Sequence, residues 1–160
     1  MASEHLIGLI SDTHGLLRPD VHDALAGVDL ILHAGDVGGE EILHELGTIA
    51  PTFAVRGNTD APAPYLETEI VREIGGLSIH VSHGHEVGQL TPDRLLARYT
   101  QDVLVYGHTH KPFLLKWEGR IVVNPGAAGQ RRFDLQPSVA RLRISDGVAE
   151  VEFATLGATE

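Results

Sequence analysis

The chain has 160 residues, with 12 basic and 22 acidic side chains and a formal net charge of −10. That length suffices for one domain that buries roughly 70% of its unfolded surface, and the acidic balance argues against a nucleic acid polymer partner gripped through counterion release. Cysteine is absent, which excludes disulfides, thiolate metal sites and cysteine nucleophiles and leaves His, Asp, Asn or water to hold any metal.

The segment from Met1 to His5 lacks the basic region and apolar stretch of a signal peptide, and no apolar run approaches a membrane span. A soluble cytoplasmic protein without a membrane partner is the expectation.

In chain order, Leu6–Ile10 reads as a short apolar strand, and Leu16–Ala26 follows as a helix, with Leu17, Val21 and Leu25 at helical spacing and Pro19 near the first turn. The unit repeats as a strand at Leu30–Leu32, a helix at Glu40–Ile49 with Ile42, Leu43, Leu46 and Ile49 on one face, and a strand at Thr52–Val55. Such alternation predicts parallel pairing.

Thr59–Leu66, with Pro62 and Pro64, is expected to be irregular, and Glu69–Ile74 and Leu77–Ser82 flank Gly75-Gly76 as a hairpin. A helix is predicted over Pro92–Tyr99 and a strand over Val103–Tyr106. Two more hairpins follow, Phe113–Trp117 with Ile121–Asn124 around Glu118-Gly119, and Ser138–Ile144 with Val148–Ala154 around Asp146-Gly147. The second half therefore reads as mostly antiparallel. No repeat or linker interrupts the chain, so residues 1–160 are expected to form one domain, with two sheets face to face and helices outside.

Short polar clusters recur immediately after the apolar runs: Ser11-Asp12-Thr13-His14-Gly15, Gly35-Asp36, Gly57-Asn58-Thr59-Asp60, His83-Gly84-His85 and Gly107-His108-Thr109-His110. Each reads as a buried strand delivering an oxygen or imidazole ligand at its tip. Asp12 with His14, and His108 with His110, are one residue apart, so in an extended segment each pair would face one side and converge on an ion. Glycine before Asp36, Asn58 and His108 would let the backbone turn sharply beside a ligand. Taken singly, Asp12-Thr13 also fits a helix cap and the Gly-Asp and Gly-Asn pairs fit ordinary turns.

His83 is favoured as a ligand, with His85 as its substitute or an outer group. His5, His22 and His44 are expected at the surface, and His33 and His80 as hydrogen-bonded strand residues, although His33 stands only three positions before Asp36. Trp117 is assigned to packing or an interface.

In this order, Asp12-x-His14, Gly35-Asp36, Gly57-Asn58, His83 and Gly107-His108-x-His110 resemble the calcineurin-like metallophosphoesterase superfamily. Gly57-Asn58-Thr59-Asp60, the run Leu104–His110 and Asn124-Pro125-Gly126 are similar to its small YfcE-type phosphodiesterase branch. The resemblance covers nearly the whole chain and implies an α/β (α+β) fold, a four-layer αββα sandwich of two mixed sheets flanked by helices.

It further implies one metal held by Asp12, His14, Asp36 and His110, and a second held by Asp36, Asn58, His83 and His108. Asp36 would bridge cations about 3.5–4 Å apart, and a bridging hydroxide would attack phosphorus in line. Two divalent ions per chain are expected, Mn first, with Fe, Zn, Co or Ni compatible with N/O ligation.

Many superfamily members carry Gly-Asn-His followed by an acid, whereas Thr59-Asp60 stands here. Asp36, Asn58 and Asp60 are the candidate catalytic residues; Asp60 could donate a proton only if its pKa were raised, and otherwise would orient a ligand or water. Leaving-group protonation is therefore in doubt, and esters with acidic leaving groups are the expected substrates. Arg131, Arg132 and His85 are candidates for binding substrate phosphate.

A small phosphate ester, most simply a diester, is the expected partner, with a homo-oligomer possible. The competing reading is a catalytically weak protein-binding scaffold similar to the retromer scaffold subunit. A mononuclear hydrolase using His108, His110 and one carboxylate ranks last, because it leaves Asn58 and the Asp12-His14 pair without a role.

Overall fold

The computed structural model describes residues 4–131 and 134–157. The first sheet contains β1 (Glu4–Ile10), β2 (Leu30–His33), β3 (Thr52–Val55), β4 (Leu66–Glu67), β10 (Ser138–Ser145) and β11 (Val148–Thr155), in the order β11-β10-β1-β2-β3-β4. The second contains β5 (Ile70–Ile74), β6 (Leu77–Val81), β7 (Val103–Val105), β8 (Phe113–Trp117) and β9 (Arg120–Asn124), in the order β5-β6-β7-β9-β8.

β1 to β4 pair in parallel, as the alternation of strand and helix requires, and β10 adds antiparallel to β1. The three expected hairpins β5/β6, β8/β9 and β10/β11 are antiparallel, so the second half is mostly antiparallel as expected, but the centre of the second sheet is not: β6, β7 and β9 are parallel. The β6–β7 connection carries α3 (Pro92–Arg98), which makes it a crossover rather than a hairpin.

Apolar residues on the facing sides of the sheets, including Ile7, Leu9, Leu32, Val55, Ile79, Val81, Val105, Val123 and Leu142, form the central core. The outer face of the first sheet packs Ile10, Ile31 and Val139 with Val21 of α1 (Val21–Ala24) and Ile42 and Leu46 of α2 (Glu40–Leu46). On the outer face of the second sheet, Leu104 and Val122 meet Leu95 of α3. Both faces of each sheet are thus covered, which is the expected four-layer αββα arrangement with two mixed sheets.

The helices are shorter than their apolar spacing predicts. Residues 16–26 yield only the single turn of α1, because Leu17 and Val21 reach the outer core across the Pro19-Asp20 turn rather than along a continuous helix. α3 has clear punctuation: Thr91 Oγ1 accepts the Arg94 amide at 3.2 Å and Pro92 follows at the first helical position. Leu66 leaves the predicted irregular loop to pair with Ala54 as part of β4. Trp117 is 49% exposed on edge strand β8. No helix among the described residues is long and apolar enough to cross a membrane.

Candidate metal centre

The polar clusters follow the C-terminal ends of β1, β2, β3, β6 and β7, all parallel strands, and meet where the two sheets face each other. The convergence is fixed by backbone bonds between the loops. The Asp12 amide donates to Gly35 O at 3.0 Å, His14 N to Asp36 O at 2.9 Å and Gly107 N to His83 O at 3.0 Å.

The pairs Asp12/His14 and His108/His110 do not converge by alternating along an extended segment, as the spacing suggested. Among the described residues, positive φ outside glycine occurs at Asp12 (53°), His14 (46°), Asp36 (56°), His108 (71°) and His110 (66°), and otherwise only in the hairpin tips at Glu118 and Asp146. Such conformations cost about 1–3 kcal/mol each and persist where surrounding structure imposes them. His108 and His110 are consequently sent to different clusters. Gly57 and Gly107 supply space rather than positive φ: a Cβ on Gly57 would stand 2.0 Å from Asp36 Oδ1, and one on Gly107 2.1 Å from Ser11 Oγ.

The two carboxylates divide their oxygens in the same way. Asp12 Oδ2 accepts from Ser11 Oγ at 2.6 Å and from the His108 amide at 3.1 Å, while the buried Oδ1 has no hydrogen-bond partner. Oδ1 instead stands 3.3 Å from His110 Nε2, 3.6 Å from His14 Nε2 and 3.9 Å from His83 Nε2. Asp36 Oδ1 accepts the Thr59 amide at 2.9 Å, and its Oδ2 lies 3.6 Å from His14 Nε2 and 3.3 Å from His83 Nε2.

His83 Nδ1 is 2.8 Å from Ala34 O, an acceptor, so Nδ1 keeps its proton and Nε2 is the atom that faces the carboxylates, free to carry a second proton or to offer its lone pair to a cation. Asn58 Oδ1, another acceptor, stands 3.0 Å from His83 Nε2 and 3.2 Å from His108 Nδ1. Acceptors crowded in this way require a proton or a cation between them. His14 Nε2, buried and without a partner, poses the same demand on the other side.

Electrostatics follow the crowding. Burial raises the Asp36 carboxyl, but the hydrogen bonds from His83 and Thr59 outweigh it and hold the group at about 2. Burial likewise raises Asp12, and His110 and His14 beside it reverse the shift to well below the usual carboxylate range. Burial lowers His83, and Asp36 and Asp12 more than restore it, leaving its pKa raised. His108 is lowered by burial and by the neighbouring His83.

Ligand atoms of Asp12, His14 and His110 lie within 4.8 Å of one another, as do those of Asp12, Asp36 and His83. Asp12 is common to these triads, whereas the resemblance assigns the shared role to Asp36. Both carboxylates reach both sides: Asp36 Oδ2 lies 3.6 Å from His14 Nε2 and 3.3 Å from His83 Nε2, and Asp12 Oδ1 lies 3.6 Å and 3.9 Å from the same atoms. His83 is buried, while His85 is exposed, with its ring 5.4 Å from that of His83.

Asp60 does not present a free carboxyl. Its Oδ2 accepts the amides of Gly57 at 2.9 Å and Val37 at 3.1 Å, and Oδ1 accepts Gly38 N at 3.2 Å. This placement departs from the expected catalytic role: the side chain ties the Asn58 loop to the Asp36 loop. Arg131 is exposed, and Arg132 lies outside the described residues.

Some functional positions were not singled out by sequence spacing. Asn124, which ends a predicted strand, is buried and donates from Nδ2 to Gly107 O at 3.1 Å and Thr109 Oγ1 at 3.0 Å, fixing the loop that carries His108 and His110. His33 braces the Asp12 and Asp36 loops through Thr13 Oγ1 at 3.0 Å and the Gly35 amide at 3.1 Å. Its proximity to Asp36 in sequence was the available signal.

The chain belongs to the calcineurin-like phosphoesterase superfamily, whose domain matches residues 6–147. A probable metallophosphoesterase of Methanothermobacter thermautotrophicus is 38% identical over 96% of this chain and 94% of the relative. Another, from Methanocaldococcus jannaschii, is 39% identical over 88% of this chain and 77% of the relative. Among solved structures, a novel archaeal phosphodiesterase superposes with a TM-score of 0.77 at 25% identity, covering 94% of this chain and 99% of that one. Vacuolar Protein Sorting 29 from Cryptosporidium parvum gives 0.80 at 25% identity, covering 94% and 97%.

Proposed function

We propose that this metallophosphoesterase-family chain is a phosphodiesterase that uses two divalent cations. One is assigned to Asp12, His14, Asp36 and His110, the other to Asp36, Asn58, His83 and His108, with Asp36 common to both. The observation that carries the reading is the pair of buried, unpartnered atoms Asp12 Oδ1 and His14 Nε2 facing a space lined by further acceptors, a donor set that fits cations and little else. When bound, the ions supply an activated water for in-line attack on phosphorus and offset charge on its non-bridging oxygens.

The chain's own residues hold that arrangement. Ser11 and the His108 amide fix Asp12, the Thr59 amide fixes Asp36, and Ala34 O fixes the His83 tautomer. Asp60 acts as a positioning residue, and no side chain is assigned as the proton donor to the leaving group. Aryl esters, whose leaving groups need no proton, are the favoured substrates. His85 and Arg131 remain assigned to substrate contact and Mn is the first choice of ion, with the cytoplasm as the site of action.

The test is to deplete the protein of metal, reload it with Mn, Fe, Zn, Co or Ni singly, and compare hydrolysis of an aryl phosphodiester with the matching monoester. Diester turnover that depends on metal and is abolished by Asp36→Ala is expected. Inactivity with every ion, or full activity of Asp36→Ala, overturns the catalytic reading and favours a protein-binding scaffold.

A further inference from the structure

Beside the metal centre lies a cleft of about 450 Å³ lined by Arg56, Glu69, His85, Glu86, Arg98 and Tyr99, among others. It abuts the second cluster directly. The His85 ring is 5.4 Å from that of His83 and 6.3 Å from that of His108, and Arg56 immediately precedes Gly57-Asn58.

The two acids of the cleft already have donors. Glu86 Oε2 accepts the Tyr99 hydroxyl at 2.8 Å and Oε1 the Gly84 amide at 3.0 Å. Glu69 Oε2 is 2.7 Å from His80 Nε2, and His80 stacks on Tyr99 with ring centroids 3.8 Å apart. This framework fixes the cleft wall.

Among the described residues the hydrogen bonds of the two arginines go to carbonyls, and the Arg98 guanidinium also lies over the Tyr99 ring, 5.5 Å from its centroid. Arg56 Nε donates to Asp60 O at 3.0 Å and Arg98 Nη1 to Glu86 O at 3.3 Å; among the described residues neither forms an ion pair. In a chain of net charge −10, two guanidinium groups without carboxylate partners beside the reaction centre are well suited to planar recognition of anionic oxygens.

We propose that this cleft is a specificity subsite in which Arg56 and Arg98 take a second anionic group, phosphate or carboxylate, carried on an ester arm of the phosphodiester. The assignment rests on the phosphodiesterase reading above. It narrows the substrate class to diesters with a charged group a short arm away from the reacting phosphorus. His85, at the junction, contacts the arm.

The test compares p-nitrophenyl phosphodiesters whose other arm is propyl, 3-phosphopropyl or 3-carboxypropyl, with the Mn-loaded protein. Charged arms are expected to raise kcat/KM about tenfold over propyl, as two half-exposed ion pairs allow, and the better of the two arms identifies the anion. The ratio falls toward one in Arg56→Gln/Arg98→Gln and partway in Arg98→Gln, which changes only an exposed residue at the end of α3. A charged arm no better than propyl in the wild type, or an advantage retained in the double variant, overturns the subsite.

Amide chemical shifts of the metal-free chain during titration with inorganic phosphate or acetate supply a readout independent of turnover. Shifts at His85 and Tyr99 that vanish in the double variant are expected, and their absence overturns the subsite. If such shifts occur but none of the esters is hydrolysed, the diesterase reading fails while the anion site stands.

Discussion

Asp60 Oδ2 accepts the backbone amide of Gly57 at 2.9 Å, so the acid that stands one residue beyond the usual catalytic histidine position acts on the chain itself. Together with its bonds to Val37 and Gly38, this contact sets the distance between Asp36 and Asn58. Asp60→Ala leaves three amides to find water. A loss of roughly 2 kcal/mol follows, seen as a fall of about 5 °C in Tm. Activity should fall about tenfold through displaced ligands, with the shape of the pH-rate profile unchanged. Selective loss of the alkaline limb in this variant would show instead that Asp60 donates a proton.

The layered fold and the meeting of strand tips were legible in the sequence because both depend on local signals: apolar runs of strand length, and ligand-bearing residues immediately after them. The pairing of β6, β7 and β9 was not legible, since it depends on which strands meet across the α3 crossover rather than on composition. The same limit applies at the metal centre. Spacing suggested that His108 and His110 face one way, yet φ values of 71° and 66° separate them, in a loop held by Asp12 and Asn124. For Asp60, sequence supplied the residue and its neighbours but not its three amide donors.

Asn124 offers a way to disturb both clusters without touching a ligand. Its Nδ2 bonds to Gly107 O and Thr109 Oγ1, and its Oδ1 accepts the Gly126 amide at 2.8 Å. Asn124→Ala buries unpaired groups at a cost of about 1–3 kcal/mol and frees the loop bearing His108 and His110. Weaker binding of both metals, by about tenfold or more, should appear in metal titrations followed by calorimetry. Unchanged affinity at both sites would remove Asn124 from the positioning framework.

His33 sets a pH limit on stability. Thr13 Oγ1 donates to Val37 O at 2.7 Å, so at its other contact it accepts from His33 Nε2–H, while His33 Nδ1 accepts the Gly35 amide. Both ring nitrogens are therefore committed in the neutral form. Burial lowers the pKa to about 4 from 6.5. The unfolded chain gains a proton below 6.5 that the folded chain refuses until about 4, so stability is present above this window and declines as pH falls through it. The loss amounts to roughly 3 kcal/mol. Urea unfolding of the metal-free chain from pH 7 to 4.5 should show this decline, and His33→Asn should make it shallower. His83, whose pKa is raised, acts in the opposite sense and above this window, whereas His108, also lowered, adds to the slope in both proteins; an equal slope in wild type and His33→Asn would refute the assignment.

Metal binding should release a proton from His83. In the metal-free chain Asp36 and Asp12 hold its pKa above the ordinary value of 6.5, so at pH 6.5 its Nε2 is protonated in more than half of the molecules, facing Asn58 Oδ1 at 3.0 Å and Asp36 Oδ2 at 3.3 Å. A cation at that position must displace the proton, because a ligating imidazole is neutral at the bound nitrogen. Calorimetric titration of the metal-free protein with Mn²⁺ at pH 6.5, in buffers of different ionisation enthalpy, should therefore show net proton release on binding. Asp36→Ala removes the nearest carboxylate to that proton and should reduce the release together with the affinity. Chelation reverses the process: a ligand at 100 times its Kd contributes about 2.7 kcal/mol of stability, so EDTA should lower Tm by about 5 °C or more. Binding with no proton release in the wild type would place the cation away from His83, and a Tm indifferent to EDTA would mean that the buried acceptors of Asp12 and His14 do not hold metal at all.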